Sequence, residues 1–476
     1  MIRKGRAIPP FFFKMQKKKV NTLTKDLVRV VELAKLGAYE EALKMCRKIK
    51  INHSNNAAYY NIKGILARRL GLLDEALLNS KRAIQIDKKL FAAKMNIANV
   101  ESQKGNIYEA IAILEEILAE KPSYQEAKAN LAIAYKSVGN LKKSLNIYKN
   151  LDFHDPWSYK AKFNYGITLI TNQDFENGWS YYEYRWKTSR QKKTLWPFPD
   201  KPLWRGERGK HVALWREQGI GDDIIFLSLV PEAKEMCGSV SVYVDPRLQN
   251  LCKRTMPEIN FVKDIEALQG VECEYHLPLG SVPGLMRNDI SDFDRTVKGY
   301  LKADPKRVES IRDELKLEGK TVVGISWKSF NSLNPLKKSV QLKDMEPIFS
   351  GLDVVLVNLQ YGDVKDEISE FKKVTGIDVI QCTSVDNRED LDGLAALIEA
   401  CDLVVSITNV TVHLAGALAK ETWVLLPYVP NFWWGSGCSD SIWYPSASLY
   451  RQPTLNDWDS VYVSIRKDLD KRLRCN

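Results

Sequence analysis

The sequence predicts a solenoid of helical repeats followed by a two-lobed α/β domain of Rossmann type with mostly parallel sheets. Three observations carry this. A glycine-centred segment returns every 34 residues through the first third of the chain. Short β-rich runs alternate with amphipathic helices from about residue 200 onward. The length of 476 residues leaves room for roughly three domains at about 150 residues each. The expected organisation is a basic, disordered tail over 1–19, repeats over 20–190, a first lobe over 191–300 and a second lobe over 301–476 that ends in a helix.

The repeat comes first. Gly37-Ala38-Tyr39-Glu40-Glu41-Ala42 returns as Gly71 to Ala76, Gly105 to Ala110 and Gly139 to Ser144, and a looser fifth copy runs from Asp174 to Gly178. Each glycine follows a helical stretch and sits where a turn between helices needs a positive φ. A second small residue (Gly64, Ala98, Ala132, Gly166) lies 12 positions before the small residue of each later unit, so paired helices can approach closely. Pro122 and Pro156 stand where the second helices must stop. Period, spacing and prolines together resemble the tetratricopeptide repeat, whose stacked helix pairs form a groove that binds peptides or protein partners.

Charge is unevenly shared. The overall +11 divides into +7 for residues 1–19, +9 for 20–190 and −5 for 191–476. A basic balance suggests nucleic acid only when it is clustered on one unit; here it marks a tail and a basic repeat domain that suits an acidic partner, and no nucleic acid is expected. No CxxC pair occurs among the eight cysteines, and the five histidines have no zinc spacing, so no metal is expected. No apolar run approaches the roughly 18 residues of a membrane span. Together these features suggest a cytoplasmic protein.

In the second part, runs such as His211–Trp215, Val240–Val244 and Ile259–Val262 form one set of strands. Thr321–Trp327, Asp353–Val357, Asp378–Ile380, Leu403–Ser406 and Thr422–Leu426 form another. Helices are expected over Val308–Leu317, Val364–Val374 and Leu391–Ala400, and a cleft between the lobes near 301–320. Ligands of such sheets bind beyond the carboxyl ends of the strands.

Four segments lie at those ends. Glu217-Gln218-Gly219-Ile220-Gly221-Asp222-Asp223 follows the first strand and precedes a helix expected from Ile224 to Met236, so that backbone amides and Asp222 can face the cleft; the bland alternative makes Asp222 or Asp223 a helix cap. Ser406-Ile407-Thr408-Asn409-Val410-Thr411-Val412-His413 offers hydroxyls, an amide and an imidazole at a helix start, a site for a diphosphate, or else a capped helix with a core histidine. Trp327-Lys328-Ser329 and Lys337-Lys338-Ser339 bring lysines to phosphates or to a solvated loop. Asn431-Phe432-Trp433-Trp434 with Trp443-Tyr444-Pro445 can stack on a base or sugar, or pack as core.

The joint order of these motifs, with Gly178-Trp179, Tyr182 and Arg185-Trp186 before them and Arg451-Gln452 and Trp458 after, resembles bacterial tetratricopeptide-repeat proteins that carry a glycosyltransferase domain related to the heptosyltransferases (family 9). That resemblance implies a GT-B fold and metal-independent inverting transfer from a nucleotide-sugar, used as substrate with no cofactor. It implies Asp222 as the catalytic base. Lys328, Lys338, Thr408, Asn409, Thr411 and His413 would contact the nucleotide-sugar, and Glu217, Gln218, Gly219 and Gly221 would line the acceptor side. The chain reads Thr408-Asn409 where the group commonly reads Asp-Thr. The expected function is therefore sugar transfer to a protein or glycan acceptor recruited by the repeats, with a non-catalytic repeat scaffold carrying a degenerate transferase module as the rival.

Overall fold

The computed structural model describes residues 25–49, 55–153, 158–188, 196–295, 299–317, 319–330 and 339–475. The basic tail, Pro156, Lys337 and Lys338 lie outside the described residues. The chain forms two compact units, Met1–Leu169 with Ser180–Leu195, and Ile170–Trp179 with Trp196–Asn476. No described helix is long and apolar enough to cross a membrane.

The first unit is built of helix pairs: α1 (Lys25–Lys35) with α2 (Tyr39–Lys48), α3 (Ala57–Arg69) with α4 (Leu73–Ile86), α5 (Phe91–Lys104) with α6 (Ile107–Glu120), and α7 (Gln125–Ser137) with α8 (Leu141–Lys149). A fifth pair is α9 (Ser158–Thr171) and α10 (Phe175–Tyr182). Gly37, Gly71, Gly105 and Gly139 take φ of +83°, +80°, +96° and +76° in the turns, which only glycine adopts cheaply. In the fifth turn the same register is held by Gln173 at φ +62°, which accounts for the looser copy. Gly64 shows why the second position is small: a Cβ there would lie 2.6 Å from the Ser80 hydroxyl and 3.1 Å from the Ala76 carbonyl. Met95, Ile111, Leu114, Ile117 and Leu131 fill the space between α5, α6 and α7. Although residues 170–179 complete the fifth repeat in sequence, they pack with the second unit, where Trp179 Nε1 donates to the Arg287 carbonyl (2.7 Å) and Phe175 meets the Phe293 ring.

The second unit holds two parallel sheets. Its first lobe runs β1 (Lys210–Trp215), α11 (Ile220–Leu227), α12 (Val230–Cys237), β2 (Gly238–Tyr243), α13 (Gln249–Thr255), β3 (Asn260–Phe261), α14 (Ile265–Gln269), β4 (Tyr275–Pro278) and α15 (Pro283–Met286). The strand order is β3-β2-β1-β4. Its second lobe runs α16 (Pro305–Leu315), β5 (Val322–Ser326), α17 (Glu346–Phe349), β6 (Val355–Asn358), α18 (Lys365–Thr375), β7 (Val379–Ile380), α19 (Leu391–Ala400), β8 (Leu403–Ile407), α20 (Val410–Ala417), β9 (Thr422–Leu426), β10 (Ala447–Arg451) and α21 (Asp459–Cys475), with strand order β10-β9-β8-β5-β6-β7. This is the doubly wound order of dinucleotide-binding sheets, with its switch point between β5 and β8. Neighbouring strands pair in parallel throughout both sheets, and β5 and β8 are buried along their whole length, as strands covered on both faces must be.

Two sequence expectations need correction. The helix expected over Ile224–Met236 is two helices, because Pro231 cannot continue the first one and starts the second. β4 and β10 are additions to the expected strands: each is short, and at Tyr275–Pro278 and Ala447–Arg451 polar or ring residues interrupt the apolar run that marks a buried strand.

Candidate functional site

At the first switch point, between β1 and β4, the segment after β1 turns sharply into α11. The helix begins at Ile220, with Gly219 as its cap, so Asp222 is neither an N-cap nor outside the helix but lies in the first turn. Its Oδ2 accepts from the Gly219 N–H at 3.1 Å and its Oδ1 from Trp433 Nε1 at 3.0 Å. The neighbouring Asp223 points inward instead. It is buried, meets Arg216 Nε at 2.7 Å and accepts from the Asp245 N–H at 3.1 Å; burial, opposed by the Arg216 guanidinium, pushes its carboxyl up to about 7. The acidic pair thus divides between a half-buried carboxylate and a structural one. Glu217 and Gln218 lie side by side over Gly280 just beyond β4, where any Cβ would collide with both side chains.

At the second switch point, Asn409 caps α20 and ties two strand ends together. Its Oδ1 accepts from the Thr411 N–H (3.0 Å), while its Nδ2 donates to Ser326 Oγ (2.7 Å) and to the Lys328 carbonyl (3.2 Å). An aspartate could cap but could not donate these two bonds. The Thr411 hydroxyl is turned to the Leu359 carbonyl at 3.3 Å. The Thr408 hydroxyl, by contrast, is buried with no hydrogen-bond partner among the described residues. Lys328 pairs through its Nζ with Glu367.

Sequence reasoning misses the residue that organises this end of the sheet. Gln360 is buried, and its Oε1 accepts from Ser326 Oγ (3.0 Å), the Trp327 N–H (2.9 Å) and the Lys328 N–H (2.7 Å). The one hint is positional: it follows a buried strand and precedes Gly362, whose φ of +87° makes the turn. Tyr361 holds the Phe330 N–H at 3.0 Å and packs edge-on against that exposed ring.

The two strand-end motifs meet each other. A Cβ on Gly221 would sit 2.9 Å from His413 Cδ2 and 3.4 Å from Nε2, so only glycine lets α11 approach the imidazole. His413 Nδ1 is 3.0 Å from the Tyr444 hydroxyl, and its ring stacks on Trp434 with centroids 5.5 Å apart. Trp433, Trp434, Trp443 and Tyr444 are all buried, which favours the core reading of the aromatic segment, yet Trp433 also reaches Asp222. Burial raises the Tyr444 hydroxyl well above the ordinary range, with Tyr300 and Asp222 adding to the shift, so it stays protonated.

Residues 101–157 match a tetratricopeptide-repeat family model. The helical pairs of the first unit are tetratricopeptide repeats. Over 440 residues the chain is 26% identical to Protein FlbA of Caulobacter vibrioides, spanning 87% of this chain and 72% of that protein. Among solved structures, a glycosyl transferase family 9 protein from Veillonella parvula aligns over 56% of this chain and 98% of its own, at 9% identity and a TM-score of 0.41. A thermophilic tetratricopeptide-repeat protein of Thermus thermophilus aligns over 36% of this chain and 93% of its own, at 17% identity and a TM-score of 0.32. The unit that follows the tetratricopeptide repeats is an α/β unit of two tandem parallel sheets.

The Asn409 geometry gives a direct expectation for the position that departs from the transferase pattern. Asn409→Asp turns two donated bonds into repulsion between a carboxylate and oxygen acceptors, and loses about 1–3 kcal/mol in urea unfolding. Asn409→Ser, which keeps a cap, should lose less. An aspartate variant as stable as wild type would show that the amide does not tie β5 to β8.

Proposed function

We propose that the chain is a glycosyltransferase that moves a sugar from a nucleotide-sugar to a protein or glycan acceptor recruited by the tetratricopeptide repeats, with inversion and without a metal ion. The observation that carries this reading is the meeting of the two strand-end motifs: Asp222 at the start of α11 and His413 on α20, drawn together through Gly221 at the carboxyl ends of two parallel sheets. An acceptor hydroxyl would form its bond to the anomeric carbon as the bond from that carbon to the diphosphate oxygen breaks, and its proton would pass to Asp222. A carboxylate suffices because the proton is taken late, once the sugar has oxocarbenium character. Trp433 and the Gly219 N–H fix the carboxylate against rotation. The departing diphosphate would meet the N-terminal end of α20 and the Thr408 hydroxyl, which has no hydrogen-bond partner among the described residues.

The rival reading, a non-catalytic scaffold, draws on Lys328, which Glu367 already neutralises. Calorimetry with a panel of UDP-, GDP- and ADP-sugars separates the two. The transferase reading expects one donor class to bind, and Thr408→Val to weaken that binding by about 0.5–1.5 kcal/mol, the worth of one hydrogen bond. Heat-silent titrations across the panel, repeated by a competition assay with the same outcome, would leave the scaffold.

A further inference from the structure

Trp433, whose indole holds Asp222, does not sit on a long helix or a strand that could aim it. It lies in the single turn Phe432–Trp434, followed by Gly435 at φ +56°, so the rings around it set its direction. It is buried, edge-on to Phe226 (centroids 5.4 Å apart, planes at 78°) and to Trp443 (5.6 Å, 87°). A further neighbour comes from the fifth repeat: Trp179 of α10 packs against it with centroids 6.2 Å apart.

Trp179 is itself fixed from behind. Its Nε1 donates to the Arg287 carbonyl at 2.7 Å, and α15 passes so near that a Cβ on Gly284 would lie 3.3 Å from the Trp179 Cβ. Arg287 is anchored in turn by Glu232, which its NH1 meets at 2.9 Å. Phe175 leads to the same indole by a second route. It meets Phe293 (4.8 Å), and Phe293 stands edge-on (4.9 Å, 88°) to Trp443, the ring that flanks Trp433. A third tie runs from Gln173 Nε2 to Cys438 Sγ at 3.1 Å and holds the loop that follows the turn. In the 34-residue register, position 179 corresponds to Leu43, Leu77, Ile111 and Leu145, which pack within the repeats. An aliphatic side chain at 179 would have neither an N–H for the Arg287 carbonyl nor a ring for Trp433. The indole stands in the copy whose residues 170–179 belong to the α/β unit.

We infer that Trp179 is a positioning residue of the transfer site: by bracing Trp433 it keeps the indole N–H on Asp222 Oδ1 and the carboxylate aimed at the acceptor hydroxyl. This deepens the proposed sugar transfer and rests on Asp222 as its base. The bond from Trp433 Nε1 to Asp222 Oδ1 (3.0 Å) ends on a carboxylate, which makes it one of the stronger kinds of hydrogen bond, but its worth depends on alignment. An error of about 1 Å in the placement of a reacting group is enough to cost a large factor in rate. The turn and second helix of the last repeat are thus a working part of the transferase, not a spacer before it.

The test uses the full chain and two readouts. The first needs no sugar donor: in a heteronuclear spectrum of the chain labelled at its indole nitrogens, the Trp433 signal is the one lost in Trp433→Phe. That signal should move in Asp222→Asn and also in Trp179→Leu, which installs the residue of the earlier repeats. The second is turnover with the donor that calorimetry selects. Trp179→Leu and Trp433→Phe should each lower it about tenfold, with donor affinity within about twofold of wild type. In the Trp433→Phe chain, Trp179→Leu should lower turnover little further, because both act through one hydrogen bond, whereas independent packing defects would multiply. Trp179→Phe, which keeps a ring, should retain most of the turnover. Trp204, a fully buried indole of the first lobe, supplies the packing control: Trp204→Leu should leave the Trp433 signal and turnover unchanged. An unmoved Trp433 signal or wild-type turnover in Trp179→Leu, losses that multiply in the double variant, or the same response in Trp204→Leu would each overturn the inference and leave the transfer standing. A wild-type chain that turns over no donor would overturn both, and the donor-free spectrum keeps that result distinct from the others.

Discussion

Gly416→Ala should destabilise the α/β unit by about 1–3 kcal/mol, a large effect for the addition of one methyl group. Gly416 lies in α20 with the Tyr444 ring directly against it, and a Cβ there would fall among Cβ, Cγ and Cδ1 of that ring. Tyr444 is buried and its hydroxyl is committed to His413, so the ring cannot swing aside without breaking the contact that orients the imidazole. In an isolated helix the same substitution would stabilise by roughly 1 kcal/mol, so the sign of the change distinguishes packing from propensity. Urea unfolding followed by tryptophan fluorescence reads it directly, because Trp433 and Trp434 belong to the same cluster. Adding Tyr444→Leu to the alanine variant should recover part of the loss, since the smaller side chain makes room. An alanine variant as stable as wild type would mean that Tyr444 does not press on α20.

Arg216→Met should cost more, about 3–5 kcal/mol, because it leaves a buried carboxylate without its cation. Arg216 holds Asp223 through Nε at 2.7 Å and Asp245 through NH1 at 2.9 Å, and Asp245 is also held by Arg247 Nε at 2.9 Å. Asp245 therefore keeps a partner in the variant, whereas Asp223 loses its cation. The pH dependence follows from the direction of the Asp223 shift. Its carboxyl is raised from 3.8 to about 7 in the folded chain, so its contribution favours folding below the lower value and is lost as pH rises through the upper one. The deficit of Arg216→Met should accordingly be smallest near pH 4 and grow toward pH 8. Asp223→Asn in the same background removes the uncompensated charge and should restore much of the loss. A deficit that is the same at both pH values would contradict this account of the pair.

Much of the architecture is legible in the sequence because it rests on periodicity. The 34-residue return of a turn glycine fixes helix pairs, and even Gln173, where the glycine is missing, keeps the turn because its neighbours impose it. Strands β5, β8 and β9 are buried throughout and apolar apart from Ser326, Ser406 and Thr422, the pattern of a parallel strand covered on both faces. β4 and β10 are defined by pairing with a neighbour rather than by their own composition, so no local pattern marks them.

The candidate site is legible in its parts and illegible in its joins. Asp222 and His413 stand out as polar groups at strand ends, but nothing in the sequence brings together residues 191 positions apart; the close approach at Gly221 does. The contact between Asp222 and Trp433 is equally long-range, 211 positions in sequence, and joins an acid to a segment whose composition reads as core. Thr408-Asn409 reads as a departure from a family pattern, whereas in three dimensions the amide of Asn409 is the tie between two strands. Gln360 is the hardest to see, because a lone glutamine at a strand end carries no motif, although three donors converge on it.

The central claim is that Asp222 takes the acceptor proton in a sugar transfer. With whichever nucleotide-sugar the calorimetric panel selects, turnover of the full-length chain and of Asp222→Asn is followed by release of the nucleoside diphosphate, alongside calorimetric binding of the same donor. The account predicts donor affinity within about twofold of wild type and turnover lower by about a hundredfold or more, the scale of a lost general base. An Asp222→Asn protein that turns the donor over as fast as wild type would contradict it.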